Sequence, residues 1–460
     1  MTDSDSTDTY DLVILGAGSG GYACALRARQ LELSVALVEE DKVGGTCLHR
    51  GCIPTKAWLH SAEVAEAAAH GATFGLRTSF EGVDLEALHG YKDKVVGQLY
   101  KGLQGLVKQS GAEVVPGRGR LVDASTVEVD GRRLTGRTVV LATGSHPRVL
   151  PGIELGPRVM TSDQALRLEE MPERVAVLGG GVIGVEFASI FAGLGCEVTV
   201  VEALDRLVAA EEPSMSKALE RAFRKRGIAM RTGARVSGVE AEDAGATVRL
   251  EEGDPIEVDL VLVAVGRGPS SEGLGYEEAG VAMERGLVTT DERLRTSVDG
   301  VRAVGDLVPG LQLAHRGFAH GIFVAEDVAG LEPAPVRDAV IPRVTYSDPE
   351  IASVGLTAEQ AGAAGHDVET VSYPLGGNGR SLIKATTGSI TIVREKDGAV
   401  LGVHMVGAGV SELVGEAQLM VGWEAHPEEV ASLVHAHPTQ GEALGEAAML
   451  AAGRPLHAHA

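Results

Sequence analysis

The chain has 460 residues, a length that predicts two to four domains. Its 44% hydrophobic and 23% charged residues are typical of globular proteins, and its 61 glycines are about twice the average share. The 41 basic and 64 acidic side chains give a net charge of −23, which argues against nucleic acid or an anionic membrane as a partner. Four cysteines are too few for a disulfide scaffold and lack zinc-binding spacing.

The first predicted element is a strand–turn–helix–strand unit that reads YDLVILGAGSGGYACALRARQLELSVALVE. Its Gly-x-Gly-x-x-Gly turn contains Gly16, Gly18 and Gly21, and Glu39 ends the second strand. Glycines at this spacing allow a tight turn, close approach of a pyrophosphate to the backbone and close helix–strand packing, while the acid can bind ribose hydroxyls. The unit therefore predicts a dinucleotide site. The polar residues 1–10 before it do not resemble a signal peptide, so we expect a cytoplasmic protein.

Two cysteines follow in the segment GGTCLHRGCIPTKAW. In an ideal helix, Cα atoms five residues apart lie about 8.7 Å from each other, whereas a disulfide tolerates at most about 7 Å. Cys47 and Cys52 can therefore bond only if the turn is distorted, which Gly51 and Pro54 would permit. Such a bond would be reducible rather than structural. The alternative is that Cys47 and Cys52 are two unpaired buried thiols. The other two cysteines, Cys24 and Cys196, are predicted to pack in the core.

A second copy of the unit reads RVAVLGGGVIGVEFASIFAGLGCEVTVVE, over residues 174–202. Its turn glycines are Gly179, Gly181 and Gly184. Glu202 lies 18 residues after the last glycine, the same interval as in the first copy. It would repel a ribose phosphate, so the second site should prefer NAD to NADP, unless Glu202 merely ends its strand in solvent. Residues 175–196 imitate a membrane span with one charge, Glu186, but their glycines favour a buried strand–turn–helix.

The rest of the chain alternates between helix and sheet. Residues 84–110 have helical apolar spacing, whereas residues 113–140 alternate like an antiparallel meander with an Asp-Gly turn. Residues 234–265 are again strand-like, and the Pro-rich residues 332–335 indicate a linker. Residues 341–460 predict a last domain of sheet followed by helices, without a nucleotide motif.

The tail contains the sequence HAHPTQGEALGE. His437 precedes a proline and is biased away from helical angles, while Pro438 suits the first position of a helix that runs to about Ala452. Glu442 is placed to fold back and orient the imidazole, which would make a base that takes and returns a thiol proton. Taken alone, such a histidine is more often a surface or packed residue.

The segment GGTCLHRGCIPTKA resembles the active-site segment of the pyridine nucleotide–disulfide oxidoreductases, and the resemblance covers nearly the whole chain. Residues 141–144 (LATG), 303–306 (AVGD) and 342–350 are similar to further motifs of the family. The resemblance implies an α/β fold with two Rossmann-like domains and a C-terminal α+β dimerisation domain. The implied bounds are residues 1–150 for the FAD domain, 151–270 for the NAD domain, 271–340 for a central domain that completes the FAD site and 341–460 for the interface domain.

The same resemblance implies roles for individual residues. Cys47 would exchange with the substrate, and Cys52 would face the flavin. Lys56 and Glu186 would pair beside the flavin's reactive nitrogen, although an ordinary surface pair is the alternative. The residues implied for FAD are Gly16, Gly18, Gly21, Glu39, Gly45, Thr46, Lys56, Thr143, Gly144, Asp306 and Ala314, and those for NAD are Gly179, Gly181, Gly184, Glu202 and Gly266.

One segment departs from the family pattern. Leu48-His49-Arg50 stands where many members have Leu-Asn-Val. Two alternatives remain open for Arg50: it lowers the pKa of the Cys52 thiol, or it points to solvent.

The HxHPTxxE tail is similar to that of the dihydrolipoyl dehydrogenase branch of the family, in which His437 and Glu442 would act on the cysteines of the other subunit. This implies a homodimer that oxidises dihydrolipoyl groups with NAD+. The partner would be the lipoylated acyltransferase core of a 2-oxo acid dehydrogenase complex or a lipoylated carrier protein, with no nucleic acid, membrane or metal. The alternatives are another NAD(P)H-dependent low-molecular-weight disulfide reductase and a flavoprotein with an assembly role. Mercuric reductases and larger thioredoxin reductases need C-terminal cysteines, and this chain has none after Cys196.

Overall fold

The computed structural model describes residues 8–458, which divide into two units. The first unit comprises the chain up to Ala57 together with His89–Arg148 and Arg267–Asp338. The second comprises Trp58–Leu88, Val149–Gly266 and the chain from Ala339 onward. This division is coarser than the four predicted domains, whose bounds stay a prediction.

Each unit contains both strands and helices. The strands are β1 (Asp8–Leu15), β2 (Val35–Glu39), β3 (Glu113–Pro116), β4 (Gly119–Leu121), β5 (Thr126–Val129), β6 (Arg132–Leu141), β7 (Ser145–Pro147), β8 (Val159–Thr161), β9 (Arg174–Leu178), β10 (Glu197–Glu202), β11 (Ala229–Thr232), β12 (Val236–Glu242), β13 (Gly245–Leu250), β14 (Ile256–Val258), β15 (Leu260–Val263), β16 (Arg267–Pro269), β17 (Met283–Glu284), β18 (Leu287–Val288), β19 (Val301–Ala303), β20 (Arg343–Thr345), β21 (Glu350–Gly355), β22 (Val368–Pro374), β23 (Ser389–Glu395) and β24 (Val400–Gly407). The α-helices are α1 (Ser19–Gln30), α2 (Gly45–His49), α3 (Cys52–Ala69), α4 (Leu85–Ser110), α5 (Ser162–Ala165), α6 (Val182–Gly193), α7 (Pro213–Lys225), α8 (Ala314–Val328), α9 (Ala358–Ala363), α10 (Gly379–Ile383), α11 (Val414–Gly422), α12 (Pro427–Val430) and α13 (Glu442–Ala451).

The main sheet of the first unit has the order β3–β2–β1–β6–β5–β4, with β19 also paired with β6. Strands β1, β2, β3, β6 and β19 run parallel. Strand β1 ends in the buried run LVIL, as expected for a parallel strand that is covered on both faces. The chain turns at Gly16 directly after β1 and then enters α1, so this edge of the sheet carries the first glycine-rich turn. Glycines also bring α1 close to α8, because a Cβ at Gly321 would lie 2.2 Å from the Gly20 carbonyl oxygen.

The predicted meander over residues 113–140 is confirmed for β4, β5 and β6, which are antiparallel. Asp130 and Gly131 form its turn, both with positive φ (49° and 83°). The prediction is wrong for β3, which pairs in parallel with β2. The long helix α4 before β3 explains the difference, because a helical crossover is the usual connection to a parallel neighbour.

The nucleotide-type sheet of the second unit has the order β11–β10–β9–β15–β8, and all its strands are parallel. Residues 175–196 form β9, a turn and the buried helix α6, so the predicted strand–turn–helix is confirmed. Within residues 8–458, no helix is both long and apolar enough to span a membrane. The strand-like residues 234–265 form β12 to β15, of which the first three make an antiparallel sheet.

The last part of the second unit is the antiparallel sheet β20–β21–β24–β23–β22 with α11 to α13 after it, as predicted. Apolar side chains of α13, among them Leu444 and Ala448, are buried in its core. The predicted start of this helix at Pro438 is wrong, because α13 begins at Glu442. The N-cap residue of α13 is Gly441, and the Thr439 hydroxyl accepts the N–H of Glu442, the first residue of the helix, at 3.2 Å.

Candidate active site

In the first glycine-rich turn, two glycines have no room for a side chain, whereas the third has free space beside it. Gly16 has φ +101°, and a Cβ there would lie 2.5 Å from the Ala142 oxygen. A Cβ at Gly21 would lie 1.8 Å from the Gly16 oxygen. By contrast, a Cβ at Gly18 would meet no atom within 4 Å. The Gly18 backbone at the start of α1 is therefore open to a ligand, as a pyrophosphate cradle requires.

The second turn repeats this geometry in the second unit. Gly179 has φ +108°, and a Cβ there would lie 2.4 Å from the Ala264 oxygen. A Cβ at Gly184 would lie 1.8 Å from the Gly179 oxygen, whereas one at Gly181 would meet nothing within 4 Å. Gly266, with φ +106°, is equally open. The two copies thus share structure as well as sequence.

The two acids are held in matching positions by the backbone. Glu39 accepts the Ala17 N–H at 2.7 Å and the Asp41 N–H at 2.9 Å, one on each oxygen. Glu202 accepts the Gly180 N–H at 2.6 Å and the Leu204 N–H at 2.7 Å in the same way. Each carboxylate oxygen keeps a further lone pair for a ribose hydroxyl. The residues of both turns therefore fit a dinucleotide, and Glu202 is a fixed strand-end carboxylate.

Replacement of Glu202 by arginine should lower kcat/KM for NADH relative to NADPH by about 10- to 100-fold, because charged hydrogen bonds to the ribose are lost and a phosphate is no longer repelled. Glu197→Arg is the matched control, since Glu197 is exposed at the other end of β10. Steady-state kinetics with both nucleotides measure the ratio. An unchanged ratio for Glu202→Arg would mean that Glu202 does not contact the ribose.

Several of the other residues implied for FAD cluster in the first unit. The Thr143 hydroxyl donates to the Ser270 carbonyl oxygen at 2.6 Å, and Gly144 has φ +70°. Asp306, in the 3₁₀ turn Gly305–Leu307, accepts the Ser145 hydroxyl at 2.6 Å. Ala314 begins α8.

Two residues of this cluster had no signal in the sequence. Arg267 Nε donates to the Ser145 hydroxyl at 2.7 Å and so fixes the group that meets Asp306. His320 is buried, and its Nδ1 accepts the Gly305 N–H at 3.3 Å. Burial and the Arg316 charge lower the pKa of His320 to about 4, which keeps this acceptor neutral.

The segment with the two cysteines starts against the first turn. The Gly44 N–H donates to the Ala17 oxygen at 2.8 Å, and a Cβ at Gly45 (φ +58°) would lie 2.7 Å from the Gly18 Cα. The Thr46 oxygen accepts the Arg50 N–H at 2.8 Å near the end of α2. The fold therefore places the segment with the two cysteines next to the first nucleotide turn.

The helix is interrupted between the cysteines. Helix α2 ends at His49 and α3 begins at Cys52, so the two sulfurs are not on one regular helix. Both cysteines are free thiols in this structure, and the break between the helices removes the regular-helix spacing that would prevent a bond between them. The hydrogen bond that the Cys47 thiol donates to the Cys52 sulfur, burial and the Cys52 charge raise the pKa of Cys47, while the Lys56 charge lowers it. Tyr22, on α1, lies beside the pair, and burial and the two sulfurs raise its pKa to about 12.

His49 and Arg50, which depart from the family pattern, both have partners near the start of the cysteine segment. His49 Nε2 lies 3.0 Å from the Val43 oxygen, and its ring meets the Tyr100 ring edge-on at 4.8 Å. Arg50 forms an ion pair with Asp41 at 2.8 Å. The Arg50 guanidinium is therefore paired with a carboxylate at a partly exposed position. Lys56 is a cation whose charge lowers the pKa of Cys47.

The two side chains of the predicted dyad, His437 and Glu442, contact each other within the second unit. His437 Nδ1 lies 2.8 Å from Glu442 Oε2, with the imidazole 75% exposed and the carboxylate 17% exposed. Because a carboxylate only accepts, the Nδ1 atom carries the proton and Nε2 is the basic nitrogen. The pair can therefore take up a proton at an exposed atom.

The predicted Lys56–Glu186 pair stays a prediction, because the two residues belong to different units. Glu186 is buried on α6, and its Oε1 accepts the Tyr346 N–H at 3.0 Å.

Two family models match this chain. Residues 10–321 match the pyridine nucleotide-disulphide oxidoreductase model, and residues 341–448 match the dimerisation domain of the same family. A dihydrolipoyl dehydrogenase of Bacillus subtilis (strain 168) is 40% identical over 97% of this chain and 99% of its own length. The dihydrolipoyl dehydrogenase of Thermus scotoductus is 39% identical over 98% of this chain and 99% of its own. The mitochondrial dihydrolipoyl dehydrogenase of Pisum sativum is 36% identical over 99% of this chain and 94% of its own length.

Solved structures with the same architecture include two proteins that are 27% identical to this chain. LpdA from Mycobacterium tuberculosis superposes with a TM-score of 0.89 over 96% of this chain and 99% of its own. The HOCl-induced flavoprotein disulfide reductase RclA from Escherichia coli superposes with a TM-score of 0.86 over 96% of this chain and 100% of its own. The predicted fold class, the oxidoreductase class and the cofactors FAD and NAD are confirmed, whereas the roles of single residues stay predictions. The chain therefore belongs to the pyridine nucleotide-disulphide oxidoreductase family.

Proposed function

We propose that this chain is an FAD-dependent dihydrolipoyl dehydrogenase that reoxidises dihydrolipoyl groups with NAD+. The observation that carries the proposal is the 2.8 Å contact between His437 and Glu442, which together form a base for a thiol proton. The same chain has two cysteines five residues apart and two dinucleotide-type turns. The curated relatives of that name, at 36–40% identity over nearly the full length, support it.

The chain's own residues supply the thiol chemistry. A dihydrolipoyl thiol that has given its proton to His437 Nε2 attacks the oxidised Cys47–Cys52 pair at the Cys47 sulfur, and Cys52 leaves as a thiolate. The second substrate thiol then attacks the mixed disulfide, which releases the oxidised lipoyl group and leaves the enzyme dithiol. The first glycine-rich turn and Glu39 would hold FAD, which would supply the two-electron chemistry that links this dithiol to NAD+.

The base is needed because the Cys47 thiol does not ionise easily. Its hydrogen bond to the Cys52 sulfur and its burial raise the pKa of Cys47, so exchange at Cys47 depends on a group that takes and returns a proton. Glu442 holds the Nδ1–H of His437 and stabilises the imidazolium that forms. Lys56 favours the thiolate form of the pair.

The enzyme is proposed to act as a homodimer in which the dyad of one subunit serves the cysteines of the other. The match of residues 341–448 to a dimerisation domain supports this. The loop before the dyad also presents apolar side chains: Val434 is 99% exposed, and Leu433 is exposed as well. A second copy that covers this loop would remove them from water.

Val434→Asp should therefore convert the dimer into monomers, because a charge would be buried in the subunit interface. Dihydrolipoamide oxidation should fall with it. Sedimentation velocity measures the mass, and Val64→Asp, at another exposed valine on α3, is the control. A Val434→Asp variant that stays dimeric would contradict the assigned interface.

The partner is proposed to be the lipoylated acyltransferase core of a 2-oxo acid dehydrogenase complex or a lipoylated carrier protein, and the location to be the cytoplasm. The runner-up function is reduction of a low-molecular-weight disulfide with NAD(P)H, which the similarity to RclA, a flavoprotein disulfide reductase, favours. Steady-state rates separate the two. The proposal predicts that dihydrolipoamide with NAD+ gives the higher kcat/KM, and a higher value for glutathione disulfide with NADPH would overturn it.

A further inference from the structure

The carboxylate of Glu442 has a second partner besides His437. Its Oε2 atom meets His437 Nδ1 at 2.8 Å, and its Oε1 atom accepts a hydrogen bond from Asn378 Nδ2 at 3.2 Å. Asn378 is 2% exposed and lies directly before α10. We propose that Asn378 is a positioning residue that holds the His437–Glu442 dyad in its working geometry, an inference that rests on the proposed function.

The neighbours of Asn378 allow its amide one orientation. Asn378 Oδ1 accepts from the Ser381 N–H at 2.9 Å and from the Ser381 hydroxyl at 3.2 Å. Its Nδ2 donates to the Thr439 oxygen at 3.1 Å and to Glu442. A flipped amide would place its oxygen against two acceptor oxygens and its NH₂ group against a backbone N–H. Glu442 therefore always meets a donor.

The same contacts tie two distant segments together. Asn378 caps α10, and Gln440 Nε2, in the loop after His437, donates to the Ser381 hydroxyl at 3.0 Å. With the bond from Asn378 to Thr439, the first turn of α10 and the loop before α13 form one hydrogen-bonded cluster. Within this cluster Asn378 makes hydrogen bonds with both its Nδ2 and its Oδ1, whereas the buried Oε1 of Gln440 has no partner, so Asn378 is the more rigid support.

The chemistry of the amide suits this role. A neutral amide fixes the plane of the carboxylate without cancelling its charge, so Glu442 keeps its full charge for the imidazolium. The imidazole of His437 is 75% exposed, which makes Glu442 a principal restraint on its orientation. If Glu442 Oε1 loses its partner, the carboxylate can rotate and His437 Nε2 no longer points in one direction.

The first test is the substitution Asn378→Ser. Serine keeps an acceptor for the Ser381 N–H but is too short to reach Glu442. We expect kcat for dihydrolipoamide to fall by about 10- to 100-fold, the effect of one lost hydrogen bond to a charged group, with little change in KM. The matched control is Thr357→Ala, which removes the cap of α9 in the same sheet domain, because the Thr357 hydroxyl accepts from the Gln360 N–H at 3.2 Å. Its kcat should stay near that of the parent enzyme.

Two further variants separate positioning from folding. Asn378→Asp keeps the size and the cap but sets an oxygen against Glu442 Oε1, so its kcat should fall further than that of Asn378→Ser. In a Glu442→Gln background, Asn378→Ser should add little further loss, because the two residues act as one unit. Circular dichroism and flavin absorbance check that each variant is folded and loaded.

The outcomes distinguish this inference from the proposed function. Parent-like kcat values in folded Asn378→Ser and Asn378→Asp, or a full further loss in the Glu442→Gln background, would overturn the inference. A parent enzyme that does not oxidise dihydrolipoamide would overturn the proposed function itself.

Discussion

Cys47→Ser should abolish dihydrolipoamide oxidation while the protein keeps its FAD. The expected loss is on the order of 10³-fold or more, because serine cannot form the disulfide that the substrate thiol attacks. Binding of FAD should persist, since the first glycine-rich turn and Glu39 do not depend on the sulfur. NADH oxidation with a dye acceptor should therefore remain measurable.

The matched control for this variant is Cys196→Ala. Cys196 is buried, and burial raises its pKa to about 12, so it is an inert packing thiol. Its replacement should leave dihydrolipoamide turnover close to that of the parent. Turnover that survives in Cys47→Ser, or loss of FAD from it, would show that the role assigned to Cys47 is wrong.

His437→Gln should lower kcat for dihydrolipoamide by about 10²- to 10⁴-fold, the usual contribution of a general base. Glutamine can still hydrogen-bond to Glu442 but cannot take up a proton. The electron transfer from NADH to a dye should be spared, because it needs no thiol exchange. Stopped-flow kinetics of enzyme reduction by dihydrolipoamide measure the affected step.

A second histidine–glutamate pair provides the control for that variant. His366 Nδ1 lies 2.6 Å from Glu395 on the surface of the same sheet domain. His366→Gln makes the same substitution in an equivalent pair that has no proposed role in catalysis. If His366→Gln and His437→Gln gave the same kcat, the dyad would not be the base.

Local pattern was enough to predict the two nucleotide units. The glycine spacing and the apolar runs predict where each strand, turn and helix of these units lies. Residues 175–196 accordingly fold as β9 and α6 rather than as a membrane span. Pattern failed where a distant partner decides the structure. Strand β3 pairs with β2 across a long helix, and the loop before α13 is bonded to Asn378, 61 residues before Thr439.

The same limit applies to the site. The spacing of Glu39 and Glu202 predicts acids at the ribose position, but the two backbone N–H donors of each appear only in the fold. No pattern in the sequence indicates a partner for Arg50, and the fold shows its ion pair with Asp41, nine residues earlier. Asn378 lies 64 residues before Glu442 in a segment with no motif, so its contact leaves no local signal.

Reduction of the purified flavoprotein by dihydrolipoamide without NAD+ and oxygen tests the central claim most directly. The account predicts that one equivalent of dihydrolipoamide reduces the Cys47–Cys52 pair and produces a long-wavelength absorbance band, which NAD+ then removes as NADH appears. An enzyme that NADH reduces but dihydrolipoamide leaves oxidised would contradict it.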